Sequence, residues 1–350
     1  MGLLTKQELL DWLKETDENR LLQLWAEADR VRRENVGEAV HLRGLIEISN
    51  YCVRRCAYCG LRVERTKLAR YRMTSDEVLA SAHDAVKFGY GTVVLQAGED
   101  PGWRADEIAD VVRRIKSETA LAVTLSLGER TPDEWRLWRA AGADRYLLRF
   151  ETSNRKLYDL IHPAGPNGQL SDRIAMLREL RAIGYEIGSG VMAGIPGQTY
   201  DDLARDLETF RELDLDMIGI GPFIPHPDTP LGKTPALPGP DQPTADELMT
   251  LKMVALTRLM CPRANIPSTT ALATLNLEQG RELGLQRGAN IVMPNVTPLK
   301  YRALYEIYPG KACIQEDGAQ CSFCLRGRLA AIGRPVGQGP GSARKGTLQC

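Results

Sequence analysis

The stretch Leu45-Ile-Glu-Ile-Ser-Asn-Tyr-Cys-Val-Arg-Arg-Cys-Ala-Tyr-Cys-Gly60 joins an alternating apolar run to three cysteines, Cys52, Cys56 and Cys59. Alternation of period two reads as a strand, so the C-x3-C-x2-C loop hangs from a strand end. Cysteine thiolates are the usual ligands of iron–sulfur clusters. A cubane has four irons, and three cysteines leave one iron open to another ligand. A closed structural zinc site wants four ligands, and no fourth Cys or His stands nearby. The arithmetic favours a cluster and leaves open a zinc site completed from elsewhere in the chain.

Outward from this loop, short β-rich runs alternate with longer helical patterns. Strands are expected near Gly44–Ser49, Gly91–Gln96, Ala122–Leu127, Arg145–Phe150, Glu186–Met192, Met217–Phe223, Asn265–Thr270 and Asn290–Met293. Helices fall between them, at Ser75–Phe88 with Thr74 as cap, Ala105–Thr119, Asp172–Ile183 and Asp201–Leu213. Eight such alternations predict an α/β fold, a (βα)8 TIM-type barrel over residues 43–305, with an open doubly wound sheet as the competitor. Residues 1–42 read as an N-terminal helical extension, opened by a Thr5–Glu8 capping box. Residues 306–350 form a C-terminal extension, and its Gly/Arg-rich tail from Gly333 is expected to be poorly ordered.

Composition narrows the function. The 350 residues hold 45 Lys+Arg and 45 Asp+Glu, a formal charge of zero, which gives no nucleic-acid footprint and no membrane-surface patch. No signal peptide and no apolar run of transmembrane length is evident, so a cytoplasmic protein is expected. Six of the eight cysteines form two triplets, a pattern that favours metal over disulfides. Cys261 reads as an inert thiol, and Cys350 has no expected role.

Barrel enzymes build their sites where strands end, and here those ends are distinctive. They read Gln96-Ala-Gly-Glu-Asp100, Thr124-Leu-Ser-Leu-Gly-Glu129, Arg149-Phe-Glu151, Gly190-Val-Met-Ala-Gly-Ile-Pro-Gly-Gln-Thr199 and Gly219-Ile-Gly-Pro-Phe-Ile-Pro-His-Pro-Asp-Thr229. With the cysteine loop and its Tyr58, they resemble the radical S-adenosylmethionine (SAM) superfamily. The Gly219–Pro230 run, the Thr124–Glu129 run and Tyr71-Arg-Met-Thr74 resemble, more narrowly, the HydE family of [FeFe]-hydrogenase maturases, over roughly residues 40–325.

The resemblance implies a [4Fe–4S] cluster on Cys52, Cys56 and Cys59, with SAM on its open iron and reductive cleavage to a 5′-deoxyadenosyl radical. It implies Gln96, Ala97 and Gly98 beside the methionine ammonium. Ser126, Glu151 and Arg173 would bind the SAM amino-acid and ribose groups, and Tyr58 and Ile224 would flank the adenine. From their residue types, Glu151 and Arg173 could instead be an ordinary rim ion pair. A deeper chamber for a small anionic iron–carbonyl–cyanide–cysteine substrate is assigned Arg145, Thr124, Thr269, Thr270, Met293 and Tyr305. Arg145 could instead pair with Asp144 or Glu186. Phe150 stands where some relatives carry histidine.

Cys313, Cys321 and Cys324 resemble an auxiliary [2Fe–2S] or [4Fe–4S] site outside the barrel, with structural zinc or free thiols as the other readings. The partners implied are the maturases HydG and HydF and a reducing electron donor. His226, between two prolines, reads as shaping a rigid loop. Biotin synthase-like sulfur insertion needs cysteines inside the barrel, and none lies between Cys59 and Cys261. A methylornithine synthase-like mutase stays open, as does a zinc-stapled scaffold.

Overall fold

The computed structural model describes residues 4–234 and 239–343; Cys350 lies outside them. Seven strands, β1 His41–Ser49, β2 Thr92–Ala97, β3 Ala122–Ser126, β4 Arg145–Leu147, β5 Glu186–Ala193, β6 Met217–Pro222 and β7 Ile291–Val292, form one sheet in the order β6-β5-β4-β3-β2-β1-β7. Every pairing is parallel, with helices covering the outer face, so the α/β sheet curls into a partial barrel.

The strand expected at Asn265–Thr270 is not among the seven. Only single parallel bridges remain there, Met217 with Asn265 and Pro267 with Ile291, in the gap between β6 and β7. Pro267 has no N–H to offer a ladder. Thr269 then takes the chain out of extended structure by capping the helix Thr270–Leu275, its hydroxyl accepting from Leu272 N.

The helices start where their caps dictate. Thr74, Thr131 and Thr199 each hold a reciprocal capping box with an acidic residue three positions on, which satisfies backbone donors that the first turn leaves orphaned. The N-terminal extension is two helices, Lys6–Lys14 and Glu18–Val36, packed on the helices Tyr200–Glu212 and Glu247–Met260. Side chains of β1 alternate as the period-two pattern requires. Leu42, Ile46 and Ile48 join the main apolar core, while Arg43 and Glu47 are buried on the other, inner face.

The glycine-rich tail is not loose through Ala343. It crosses the N-terminal mouth of the barrel: Val336 bridges Val40, and Gly337 N donates to Val40 O at 2.8 Å. Arg43 donates to Gly341 O, Asn265 to Gly341 O and Thr92 to Pro340 O. A Cβ on Gly91 would lie 1.8 Å from Gly339 O, so glycine is what lets the two backbones meet. Composition misjudged this segment because donors on the barrel hold it, not apolar side chains of its own.

Candidate active site

The cysteine loop follows β1 and is tied to four neighbours by main-chain bonds. Val53 N donates to Glu99 O, Ala57 N to Ile161 O, Leu231 N to Ala57 O and Gly60 N to Ile307 O, all within 3.0 Å. Sulfur is approached by amides: Arg54 N and Glu99 N lie 3.4 Å from Cys52 Sγ, and Leu61 N lies 3.4 Å from Cys59 Sγ. A Cβ on Gly98 would stand 2.1 Å from Tyr51 O and 2.7 Å from Cys52 Cβ, so this glycine seats the loop against the β2 end. Burial pushes all three thiols up, Cys56 to about 12. A thiolate here needs cationic partners, which cluster iron would supply.

Among the described residues, no three His, Cys, Asp or Glu side chains gather tightly enough for one metal ion. Zinc would require that convergence, since all its ligands meet at one atom. A cubane asks for something else, because each cysteine binds a different iron. Buried thiols with amide donors aimed at sulfur fit that group.

Strand register brings the expected SAM residues together. Glu47, Gln96 and Ser126 are neighbours across β1, β2 and β3. Glu151 is held at φ 62, a left-handed conformation costing a non-glycine residue about 1–3 kcal/mol and typical of functional sites. Glu151 and Arg173 do not pair with each other. Arg149 grips Glu151 through two bonds of 2.8 and 3.0 Å and also donates to Val191 O. Arg173 bonds Glu129 at 2.8 Å and Arg149 O at 2.7 Å, and meets His162 Nε2 at 3.2 Å. Tyr58 OH lies 2.9 Å from the same nitrogen. Burial and the Arg173 charge hold the His162 imidazole well below its usual range. Ala97, Gly98 and Ile224 flank the same mouth, Ile224 in the loop after β6.

The chamber residues divide. Thr124 is buried with its hydroxyl unpartnered. Tyr305 is buried and accepts from Gln96 Nε2 at 3.1 Å. Thr269 donates to Ile220 O at 2.9 Å, while Thr270 and Met293 are half-buried.

Arg145 is not with them. It sits at the opposite mouth, fully buried, bonded to Glu186 at 2.7 Å, Thr92 at 3.1 Å and Ser342 at 2.8 Å. Its place at the first residue of β4 and its tie to the tail make it a base residue. Arg149 stands at the far end of the same strand run, paired with Glu151. Gly219 leaves room for it, since a Cβ there would lie 3.1 Å from Arg149 Nη1. Phe150 points outward onto Phe210, with ring centroids 5.7 Å apart, so its side chain brings no polar group to the site. His226 is buried against Gly60, its Nδ1 accepting from Asp228 N, as a loop-shaping residue would be. Cys261 is half-buried, its thiol pushed up to about 12 by burial.

The radical SAM superfamily profile matches residues 46–210, which contain the cysteine loop, Gln96, Ser126, Glu151 and Arg173. A protein of Thermotoga maritima named [FeFe] hydrogenase maturase subunit HydE is 46% identical over 341 residues, covering 97% of this chain and 94% of that one. The chain belongs to the HydE family. Membership makes it a radical SAM enzyme and implies a [4Fe–4S] cluster and SAM. The HydE-family chain is also similar to 3-methylornithine synthase of Methanosarcina acetivorans, at 28% identity over 311 residues, 87% of this chain and 83% of that one. The crystal structure of methylornithine synthase PylB superposes with a TM-score of 0.81 at 25% identity, covering 96% and 95% of the two chains. No helix among the described residues is long and apolar enough to cross a membrane.

The second triplet is differently built. Cys313 has φ 61 and receives Arg281 Nη2 at 3.7 Å. Cys321 donates to it, holding the Cys313 thiol down to about 6 and pushing its own up. Cys324, one turn along the helix Gly318–Ala331, is exposed.

Proposed function

We propose that this enzyme serves the maturation of the [FeFe]-hydrogenase active site, acting on a mononuclear iron complex with carbonyl, cyanide and cysteine ligands. The observation that carries this reading is Arg149, gripped by a strained Glu151 beneath the cysteine loop and facing glycine-cleared strands. Cys52, Cys56 and Cys59 would hold the [4Fe–4S] cluster, which with SAM supplies a 5′-deoxyadenosyl radical by one-electron cleavage. The chain's own work is position and exclusion of water. Gln96, Ala97, Gly98, Ser126, Glu151 and Arg173 would orient SAM; Tyr58 and Ile224 would enclose its adenine. Neutral His162 fixes Tyr58 and Arg173 together, so the loop and the β4 end keep one spacing. Arg149, Thr124, Thr269, Thr270, Met293 and Tyr305 would wall the substrate chamber.

An auxiliary cluster on Cys313, Cys321 and Cys324, supply of the iron complex by HydG, hand-over to HydF and a separate electron donor complete the proposal. The bridges at Asn265 and Pro267 support an eighth position closing the barrel within residues 43–305, between the two extensions.

The test is anaerobic reconstitution with iron and sulfide, dithionite reduction, and chromatography of 5′-deoxyadenosine with and without the synthetic iron complex. The reading predicts SAM cleavage, stimulated by the complex, and restoration of hydrogenase activity in an in vitro maturation mixture. Cleavage that ignores the complex but converts L-lysine to a rearranged product would establish the mutase in its place.

A further inference from the structure

The segment after Tyr305 does not leave the barrel. Gly60 N donates to Ile307 O, Glu306 pairs with Arg65, and Ala312 N donates to Thr274 Oγ1 at 3.1 Å. Residues 305–312 therefore run across the C-terminal mouth, beneath the cysteine loop. From this strap Lys311 reaches inward and ion-pairs with Glu47, whose other oxygen accepts from Asn295 at 2.9 Å. Lys311 and Glu47 are 7% and 1% exposed. The ammonium stands 5.1 Å from the centroid of the Tyr305 ring, the same tyrosine that receives Gln96.

An ammonium has three donors. Among the described residues Glu47 takes one of them and no other acceptor is within hydrogen-bond distance. Arg149 gives Nε and Nη2 to Glu151 and to Val191 O, and keeps Nη1 toward Gly219. The ion pairs Glu47–Lys311 and Glu151–Arg149 set each of these cations against a carboxylate, and an anion entering the chamber can draw on the one that is able to turn. Lys311, on a flexible stem with unused donors, is that cation.

We propose that Lys311 is a substrate-binding residue, its ammonium taking an anionic group of the substrate in exchange for Glu47. The proposal rests on reading this chamber as the site of an anionic iron complex. Glu47 then competes with substrate for the same charge, and its removal tightens substrate binding.

The experiment measures substrate-dependent 5′-deoxyadenosine formation while titrating the synthetic cysteine-ligated iron(II) carbonyl cyanide complex, with substrate-free SAM cleavage recorded beside it. A charge-assisted bond is worth about 1.5–3 kcal/mol, so Lys311→Met raises KM about ten- to a hundredfold. Glu47→Gln lowers KM. Removing both members avoids a stranded charge, so the double variant Glu47→Gln/Lys311→Met keeps the test open where Lys311→Met alone fails to fold; it also raises KM. Shifts of KM in the same direction for Glu47→Gln and Lys311→Met mean a purely structural pair and overturn the proposal, as does an unchanged KM in Lys311→Met or in the double variant. A wild-type enzyme that cleaves SAM but ignores the complex sinks the functional reading, and this proposal with it.

Discussion

Arg145 and Arg149 lie four residues apart on the β4 run and serve opposite ends of the barrel. Arg145 is wholly enclosed, its donors given to Glu186, Thr92 and the tail. Arg149 grips a carboxylate held in strained backbone and lies against the bare backbone of Gly219. The same residue type on the same inward-facing register thus seals one mouth and equips the other. Height along a barrel strand, not side-chain identity, decides which.

The comparison breaks most sharply at the upper mouth. Cys52→Ser is expected to abolish SAM cleavage, and chromatographically detectable 5′-deoxyadenosine from a fully iron-loaded variant would show that this loop is not the reactive site. Arg149→Met should cost about ten- to a hundredfold in substrate-dependent turnover, since it removes charge-assisted bonds worth about 1.5–3 kcal/mol. Arg145→Met should do the reverse: about 2–4 kcal/mol of stability is lost because a buried network loses its centre. SAM cleavage per folded molecule should be unchanged in that variant. A denaturant melt paired with single-turnover assays of both arginine variants would erase the distinction if their profiles matched. The smallest effect is expected at Cys321→Ser, with SAM cleavage within about twofold of wild type, because this thiol lies outside the cysteine loop and the SAM residues.

Much of this was legible in the chain. The cysteine loop was legible because its three thiols are sequence neighbours, needing no tertiary knowledge to bring them together. The strands from β1 to β6 were legible through apolar β-rich runs, and helix starts through Thr-x-x-Glu boxes. Asn265–Thr270 misled because its β-favouring residues carry a proline and end in a helix cap. Arg145 was mistaken for a chamber residue because positions 145, 147 and 149 share one face at period two. Periodicity gives the face of a strand but not the depth. Lys311 was missed for a related reason: a lone lysine after Pro309-Gly310 reads as a solvated turn, and only the course of the strap sends it inward. Glu129, Arg54 and His162, which brace Arg173 and Tyr58, were likewise hidden, since their partners are far apart in sequence.

The tail across the lower mouth has a kinetic meaning. Its bonds join residues 195, 248 and 298 positions apart, from Arg145, Thr92 and Arg43 respectively. Loop-closure entropy grows slowly, by about 0.6 kcal/mol per doubling of length, so such contacts cost little once made. They are slow to find, because the strands supplying the donors must first be in place. Refolding should therefore end with a threading step, in which Gly337 N gains protection from hydrogen exchange after the sheet amides have gained theirs. Until that step the lower end of the partial barrel stands uncovered, and only afterwards does the tail cross it.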